Sequence, residues 1–509
     1  VSNAAAESSA DRTRKAGRGV LSLTGSKLYF IIAGYAVQVL VPRLLGSPEE
    51  FGLFAATMGG ISILNNVMIA ATIQTVSKRI SEDASAAETT LRQGLTLQLL
   101  VGGGLATAVF LSAPWLAGDF LLNPKLGPFL RVASIVVLSY ALYATLIGSL
   151  NGRQLFQRQA MLDMTFTTLR TAGIIGLTAL GYGVMGATTG FAAAALALLV
   201  IAFWQVGPGK AGSTTPLKTW LVLMAPLWLY QLFLNLTLQF DLWVLIRTAT
   251  QIGIEQGIDA TTAAATAAGY AGLYKATQTF AFVPYQLILS VTFVVFPMVS
   301  QATSVGDDDA TRSTIAGAMR FSLLVLLAIA TPIAGAAKGV MLIAYPVEYV
   351  AGADALSVLS LGLVCFALFV IAATILSGAG KPGLAAGIAA VTVVIVVVGN
   401  ILIVRWVGLG DRTLLGAAAA TSLGTSFALV AVGTAVHLRF GAFIPKATAA
   451  RALIAAAVGF SAAHAMPADS RVQGLLALIV GGVAYLIALF VTRELGSKEL
   501  TAIRKVVGR

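Results

Sequence analysis

Apolar runs about as long as a membrane crossing follow one another along nearly the whole chain, separated by short polar breaks. A helix crossing the hydrocarbon layer needs about 20 mostly apolar residues. That rule predicts fourteen spans: 20–42, 51–77, 93–113, 129–150, 161–181, 184–204, 218–247, 264–300, 315–337, 355–378, 383–407, 413–437, 447–466 and 472–493. The fifth and sixth are divided only by Tyr182-Gly183. The eighth is longer than one crossing requires and holds Pro284 and Pro297, which predicts a bent helix with one end outside the lipid.

The runs repeat. Phe51-Gly-Leu-Phe-Ala-Ala-Thr57 returns as Ala271-Gly-Leu-Tyr-Lys-Ala-Thr277, 220 residues later. Leu99-Leu100-Val101 with Ala106-Thr107 returns as Leu323-Leu324-Val325 with Ala330-Thr331, at 224. Leu130, Val132, Ser134 and Ala141-Leu142-Tyr143 return as Leu356, Val358, Ser360 and Ala367-Leu368-Phe369, at 226. Gly186-Ala187 returns as Gly416-Ala417, at 230. The order is kept while the offset drifts, as loop insertions make it drift. Spans one to six and seven to twelve are therefore read as two copies of one module. Each copy has an even number of crossings, so both enter from the same side and the repeats are parallel. The fold class is an all-α integral membrane protein of about fourteen helices: two parallel six-helix repeats forming N- and C-lobes, plus two extra C-terminal helices. In domains this gives a disordered tail at 1–19, the N-lobe at 20–210, the C-lobe at 218–440, two further spans within 447–493, and a tail at 494–509.

Composition agrees. The 509 residues are 58% hydrophobic and 11% charged, where soluble chains carry about 25% charged residues. The formal charge of +12 does not point to nucleic acid, because the basic residues lie in short loops between the apolar runs. With the N-terminus inside, cytoplasmic segments hold 22 of the 33 lysines and arginines and outer segments hold 8. That bias follows the positive-inside rule and places both termini in the cytoplasm. Residues 1–19 precede a span too long for a signal-peptide core, so they read as a cytoplasmic tail and not as a cleaved leader. The one cysteine, Cys365, sits in an apolar run and reads as core. No loop exceeds roughly twenty residues, too few for an extramembrane catalytic domain. A Walker A loop, a Cys or His cluster and a framed nucleophile are all missing from the sequence, so nothing in it points to ATP hydrolysis, metal chemistry or covalent catalysis.

Residues 42 to 52, Pro-Arg-Leu-Leu-Gly-Ser-Pro-Glu-Glu-Phe-Gly, resemble the loop after the first helix of bacterial polysaccharide flippases. Gly269-Tyr270 to Ala276 shows the same likeness, as does Leu376-Ser-Gly-Ala-Gly-Lys-Pro382 followed by Asn400 and Gly416-Ala417-Ala418. The resemblance covers about residues 20 to 440. It is to flippases of O-antigen and exopolysaccharide repeat units, within the superfamily that also holds multidrug exporters and the peptidoglycan-precursor flippase. It implies a V-shaped pair of six-helix lobes working by alternating access in the bacterial cytoplasmic membrane. The implied cargo is an oligosaccharide on undecaprenyl pyrophosphate, moved from the inner to the outer leaflet. Further implied partners are a polysaccharide polymerase and export machinery. A multidrug exporter and a lipid-II flippase stand as alternatives.

Charged groups inside a bilayer are costly, roughly 2.5–3.5 kcal/mol at mid-span, so those present are the candidate site. Arg170 lies at the middle of the fifth span, with Asp163 two turns earlier on the same face. Arg170 either contacts the pyrophosphate or an acidic sugar, or forms a structural pair with Asp163 or with backbone carbonyls. Asn400 stands at or next to the position equivalent to Arg170 in the second copy. Asn65-Asn66 and their repeat partners Tyr285-Gln286 are read either as sugar-binding groups facing each other across a cavity or as helix–helix hydrogen bonds. Gln231, Asn235 and Gln239 recur every four residues and form a stripe read as cavity-facing. Asp241 and Lys275, joined by one hairpin, are read as a pair. The alternative reading of Lys275 is snorkelling, and Lys27 is read either as snorkelling or as attraction of an anionic carrier. Asp163 and Asp241 are the coupling candidates. His437 and His464 lie near span ends and read as interfacial. Arg170, Lys27 and Lys275 against Asp163 and Asp241 leave one excess positive charge within the spans, which suits an anionic cargo.

Overall fold

A computed structural model of the chain describes residues 9–212, 216–288, 295, 298–301 and 307–494, and among them the regular structure is entirely helical. In order the helices are α1 (Ser9–Leu45), α2 (Pro48–Glu82), α3 (Ala87–Trp115), α4 (Leu126–Gly152), α5 (Phe156–Leu177), α6 (Gly183–Val206), α7 (Leu217–Glu255) and α8 (Ala260–Ala281). There follow α9 (Asp308–Gly335), α10 (Ala337–Ala344), α11 (Ala353–Gly378), α12 (Pro382–Val407), α13 (Thr413–Phe440), α14 (Lys446–His464) and α15 (Arg471–Val491). Among the described residues twelve helical stretches are long and apolar enough to cross a membrane. One of the twelve, Phe156–Val206, contains both α5 and α6, because Gly181 (φ +88°) and Gly183 (φ +55°) turn the backbone between them. The fifth and sixth spans are thus separate helices of 22 and 24 residues. The chain is a multi-pass membrane protein.

Local chemistry places several breaks. Gly46 (φ +75°) ends α1, and Ser47 caps α2 by accepting from the Glu50 N–H at 3.2 Å, with Pro48 in the first turn. The motif at 42–52 is therefore a stop and start signal between two spans. In the eighth predicted span, 264–300, α8 stops at Ala281 with Phe282 as its cap. Helical backbone resumes over 283–288. Pro284 lacks an N–H and crowds the carbonyl four residues back, which accounts for a break at this point. Pro297 lies outside the described residues. The sequence reading has a disordered tail over 1–19, but α1 begins at Ser9. A polar segment rich in Ala, Arg and Lys extends an existing helix without a new nucleation step. Residues 1–8, and 495–509 of the C-terminal tail, lie outside the described residues.

The chain divides into two compact units, Val1–Gln239 and Phe240–Arg509. The division falls inside α7 and not in the loop before residue 218, because the first half of α7 packs within the first unit. There Trp220 and Met224 join Ala71, Val76, Ile80 and Leu97 in one core cluster. Helix pairings recur in repeat order. In the first unit α3 packs on α4, α4 on α6 and α5 on α6; in the second α9 packs on α11, α11 on α13 and α12 on α13. The repeated Gly-Ala marks the same corner in each. A Cβ on Gly186 would meet the end of α5 at the Leu177 carbonyl, and one on Gly416 would meet Ile403 and Val407 at the end of α12. Cys365 is partly buried beside Ser426, 3.6 Å away. His437 lies in the last turn of α13, and His464 in that of α14, stacked on Phe460.

Within the first unit α5 and α6 cross at Gly173 and Gly190. A Cβ on Gly173 would lie 2.6 Å from the Gly190 carbonyl oxygen, and one on Gly190 would meet the Gly173 carbonyl. Backbone cannot step aside as a side chain can. Gly190→Ala is expected to lower stability by about 1–3 kcal/mol, read as a fall in Tm. Gly176→Ala, at a position with nothing within 4 Å, is expected to leave Tm unchanged.

In the second unit the two extra helices, α14 and α15, are fastened to α9. The Glu494 side chain is 2% exposed and accepts from Arg320 Nε at 2.8 Å, Thr448 Oγ1 at 2.7 Å and Arg451 Nη1 at 3.2 Å. Burial pushes its carboxyl upward, but those three donors outweigh burial and hold it below the ordinary glutamate range. A carboxylate depressed in the folded state stabilises fully above its unfolded pKa, about 4.3, and loses that contribution as pH falls through the folded value. Glu494→Gln is therefore expected to flatten the acid limb of a Tm-versus-pH curve. Glu494→Ala is expected to cost about 1.5–3 kcal/mol at neutral pH, measured in the same thermal series.

Candidate functional site

Among the described residues, the polar groups singled out by the sequence fall into three clusters. The first is built by α1, α4 and α5. Arg170, half-buried on α5, holds its guanidinium 4.5 Å over the Phe30 ring and 5.8 Å from the Phe166 ring. It interacts electrostatically with the Tyr140 hydroxyl, while its buried Nε donates to no protein atom. Behind it Tyr140, Phe166 and Phe191 pack edge-to-face and tilted, with centroids 5.3–6.4 Å apart. Asp163 accepts from Tyr143 at 2.9 Å and is attracted to Lys27, which is exposed on α1. Arg170 and Asp163 thus share a helix but not a bond. The structural pair weighed from the sequence is replaced by one carboxylate held by a phenol and one guanidinium stacked on a ring. The result is a half-buried cation beside two rings whose Nε has no acceptor among the described residues, a group suited to a phosphate or carboxylate.

The second cluster joins α2 to the first half of α7. Asn65 is 5% exposed, and its Oδ1 has no protein donor. Asn66, exposed, donates from Nδ2 to Asn235 Oδ1 at 2.7 Å, and Asn235 Nδ2 donates to the Gln231 carbonyl at 2.8 Å. Gln239 Oε1 lies against Gly59, 3.4 Å from where a Cβ would be. The stripe Gln231, Asn235, Gln239 is thus half-buried, with Asn235 and Gln239 turned to α2. A helix–helix hydrogen bond holds the middle of it.

The third cluster belongs to the second unit. Asp241, fully buried on α7, accepts from Leu242 N–H at 2.8 Å, Tyr274 OH at 3.0 Å, Thr421 Oγ1 at 3.1 Å and Gln278 Nε2 at 3.0 and 3.2 Å. Asn400, also fully buried, donates to the Thr421 hydroxyl at 3.3 Å and to the Val396 carbonyl at 3.0 Å. Lys275 adjoins and is attracted to Asp241, but the carboxylate's hydrogen bonds go to Tyr274 and Gln278 instead. Tyr285, half-buried, packs edge-on against Phe366 at 5.3 Å and Phe282 at 6.3 Å. Gln286 beside it is half-buried.

Tyr143, Tyr274, Gln278 and Thr421 are the polar partners that the sequence reading missed. A signal existed for Tyr274. Asp241 stands fourteen residues before the end of α7, and Tyr274 fourteen after the start of α8, so both lie at one depth in the hairpin. Lys275 shares that depth, but one residue is about a quarter turn of helix, enough to hand the hydrogen bond to its neighbour.

The fold is shared with solved transporters. A lipid II flippase, MurJ, in an inward closed conformation superimposes with a TM-score of 0.74 at 16% identity, over 93% of this chain and 99% of that one. An inward-facing multidrug resistance transporter of the MATE family matches with a TM-score of 0.63 at 18% identity, over 82% and 94%. A transporter of the same superfamily from Pyrococcus furiosus gives 0.56 at 15% identity, over 84% and 95%. No curated protein matches by sequence. The profile of the polysaccharide biosynthesis protein family matches residues 40–354, from the end of the first span into the second repeat and including Arg170, Asp163 and Asp241. That match takes in more than half of the sequence, and the chain belongs to the polysaccharide biosynthesis protein family.

Proposed function

We propose that the chain is a flippase of the bacterial cytoplasmic membrane, with both termini in the cytoplasm. Its cargo is an oligosaccharide repeat unit on undecaprenyl pyrophosphate, moved from the inner to the outer leaflet by alternating access. The family match over residues 40–354 carries this reading. A lipid II flippase and multidrug transporters share the fold, so the fold by itself does not select a cargo. The chemistry within the spans supports an anionic one. Arg170 lies over Phe30 with no acidic partner among the described residues, whereas Asp163 is occupied by Tyr143 and Asp241 by Tyr274, Gln278 and Thr421. In this mechanism Arg170 takes the charged part of the cargo. Asn65 in the first unit offers a hydrogen bond suited to sugars, Tyr285 and Gln286 in the second offer an aromatic edge and an amide of the same kind, and Lys27 draws the anionic carrier in. Asp163 and Asp241 are the groups through which movement is coupled to its energy source.

Deletion of the gene, followed by extraction of undecaprenyl-linked species from sealed inside-out and right-side-out vesicles, tests the reading. Accumulation of a lipid-linked oligosaccharide on the cytoplasmic leaflet is expected, reversed by the intact gene. Accumulation of lipid II with arrest of wall synthesis would assign the peptidoglycan precursor as cargo. Drug sensitivity with normal glycan would assign a multidrug exporter.

A further inference from the structure

Around the C-terminus of α2, the segments 78–92, 151–158 and 207–218 hold seven basic residues, Lys78, Arg79, Arg92, Arg153, Arg158, Lys210 and Lys218, against three acidic ones. The acids are committed. Glu82 faces Lys78 at 3.8 Å, Glu88 pairs with Arg153 at 2.8 Å, and Asp83 accepts from Ser85 N–H, Ser85 Oγ and Ala86 N–H. Among the described residues Arg79 makes no ion pair, and Glu82 acts on it only through space. Its guanidinium is laid over the Trp220 indole, 4.6 Å from the centroid, and its buried Nη1 donates to no protein atom. Trp220 is itself 3% exposed and locked among Val76, Ile80, Leu97 and Met224.

This is not the arrangement of a cation that only sets topology. A snorkelling arginine keeps its head in water and its stem on apolar surface. Here the head lies over a buried ring, 4.6 Å from its centroid, and its buried Nη1 has no acceptor among the described residues. A stacked guanidinium is a fork for phosphate oxygens. Trp220 lies just before the apolar stretch of α7 that begins at Met224, and the ends of such stretches are where indoles meet headgroups and where phosphate is the commonest anion.

We infer that Arg79 and Trp220 form a binding site for the phosphate of an anionic phospholipid in the leaflet adjoining this end of the first unit. The site is separate from the Arg170 cluster and does not depend on the choice of cargo. It is a structural lipid site at the seam of α2 and α7.

The test uses the purified full chain in detergent with equal amounts of phosphatidylglycerol and phosphatidylcholine of matched acyl chains, and bound lipid is counted by native mass spectrometry. The wild-type chain is expected to retain phosphatidylglycerol preferentially, and Arg79→Ala to reduce that preference about tenfold. Arg79→Lys and Trp220→Phe are expected to fall between, since one loses the fork and the other weakens the stack. Arg79→Met, which keeps the apolar stem, serves if the alanine variant aggregates. An unchanged preference in Arg79→Ala and Arg79→Met overturns the site. So does an equal loss in Arg92→Ala and Lys218→Ala, which would show a diffuse basic patch. Inorganic phosphate in excess is expected to leave the lipid in place; displacement by it would assign a free anion and overturn the lipid.

Discussion

Arg170→Ala is expected to abolish surface glycan while the protein stays in the membrane at its normal level. The lipid-linked precursor should accumulate on the cytoplasmic side. The expectation rests on a guanidinium stacked 4.5 Å over Phe30, its Nε donating to no protein atom. Each charge-assisted hydrogen bond lost to the cargo removes about 1.5–3 kcal/mol, or roughly one to two decades in rate per bond. Arg170→Lys keeps the charge but loses the planar fork and the stacking, so it should restore only part of the activity. Arg170 also fills space between α1 and α5, so truncation removes packing at that seam as well as charge: a Cβ on Gly34 of α1 would already lie 3.7 Å from Nη2. Arg170→Met separates the two effects. It keeps the stem against Phe30 and Phe166 and removes only the charged head. Export at the wild-type level in Arg170→Met would take the guanidinium out of the mechanism.

The architecture was readable because bilayer thickness imposes its own length on every helix. Runs such as 129–150 and 383–407 announce α4 and α12 with little error, and Tyr182-Gly183 marks a true corner between α5 and α6. Hydropathy says nothing about rotation around a helix axis, and that is where the site reading was least complete. Asp163 was placed on the right helix, yet its partner is Tyr143 on α4 and not Arg170 seven residues along the same face. Asn66 was found as a polar group at mid-span, but only packed helices show that its amide meets Asn235. The division of α7 at Gln239 was equally hidden. A continuous apolar helix carries no mark of which neighbour each half packs against, and Trp220 looks no different from a lipid-facing tryptophan until α2 and α3 are beside it. The helical start at Ser9 follows from propensity, which hydropathy does not measure.

Asp241→Ala is expected to be the most destabilising single change among the span residues. The carboxylate is fully buried and takes hydrogen bonds from Leu242, Tyr274, Thr421 and Gln278. Its removal leaves the Gln278 amide and one of the Tyr274 and Thr421 hydroxyls, which lie 3.2 Å apart, without their acceptor in a fully buried place, and Asn400 loses the order of its partner Thr421. Breaking a buried charged network of this kind costs about 3–5 kcal/mol, so Tm should fall and the detergent-purified protein should aggregate on size-exclusion chromatography. A loss of export in that variant would therefore say little about coupling. Asp241→Asn is the informative change. It preserves volume and one acceptor oxygen but sets an NH2 against donors, so it should cost less than half as much. If Asp241 couples movement to an energy source, the asparagine variant should stay folded and yet fail to export, because its charge no longer changes. Full export by a folded Asp241→Asn protein would make this cluster a structural joint between α7, α8 and α13 and leave Asp163 as the coupling candidate.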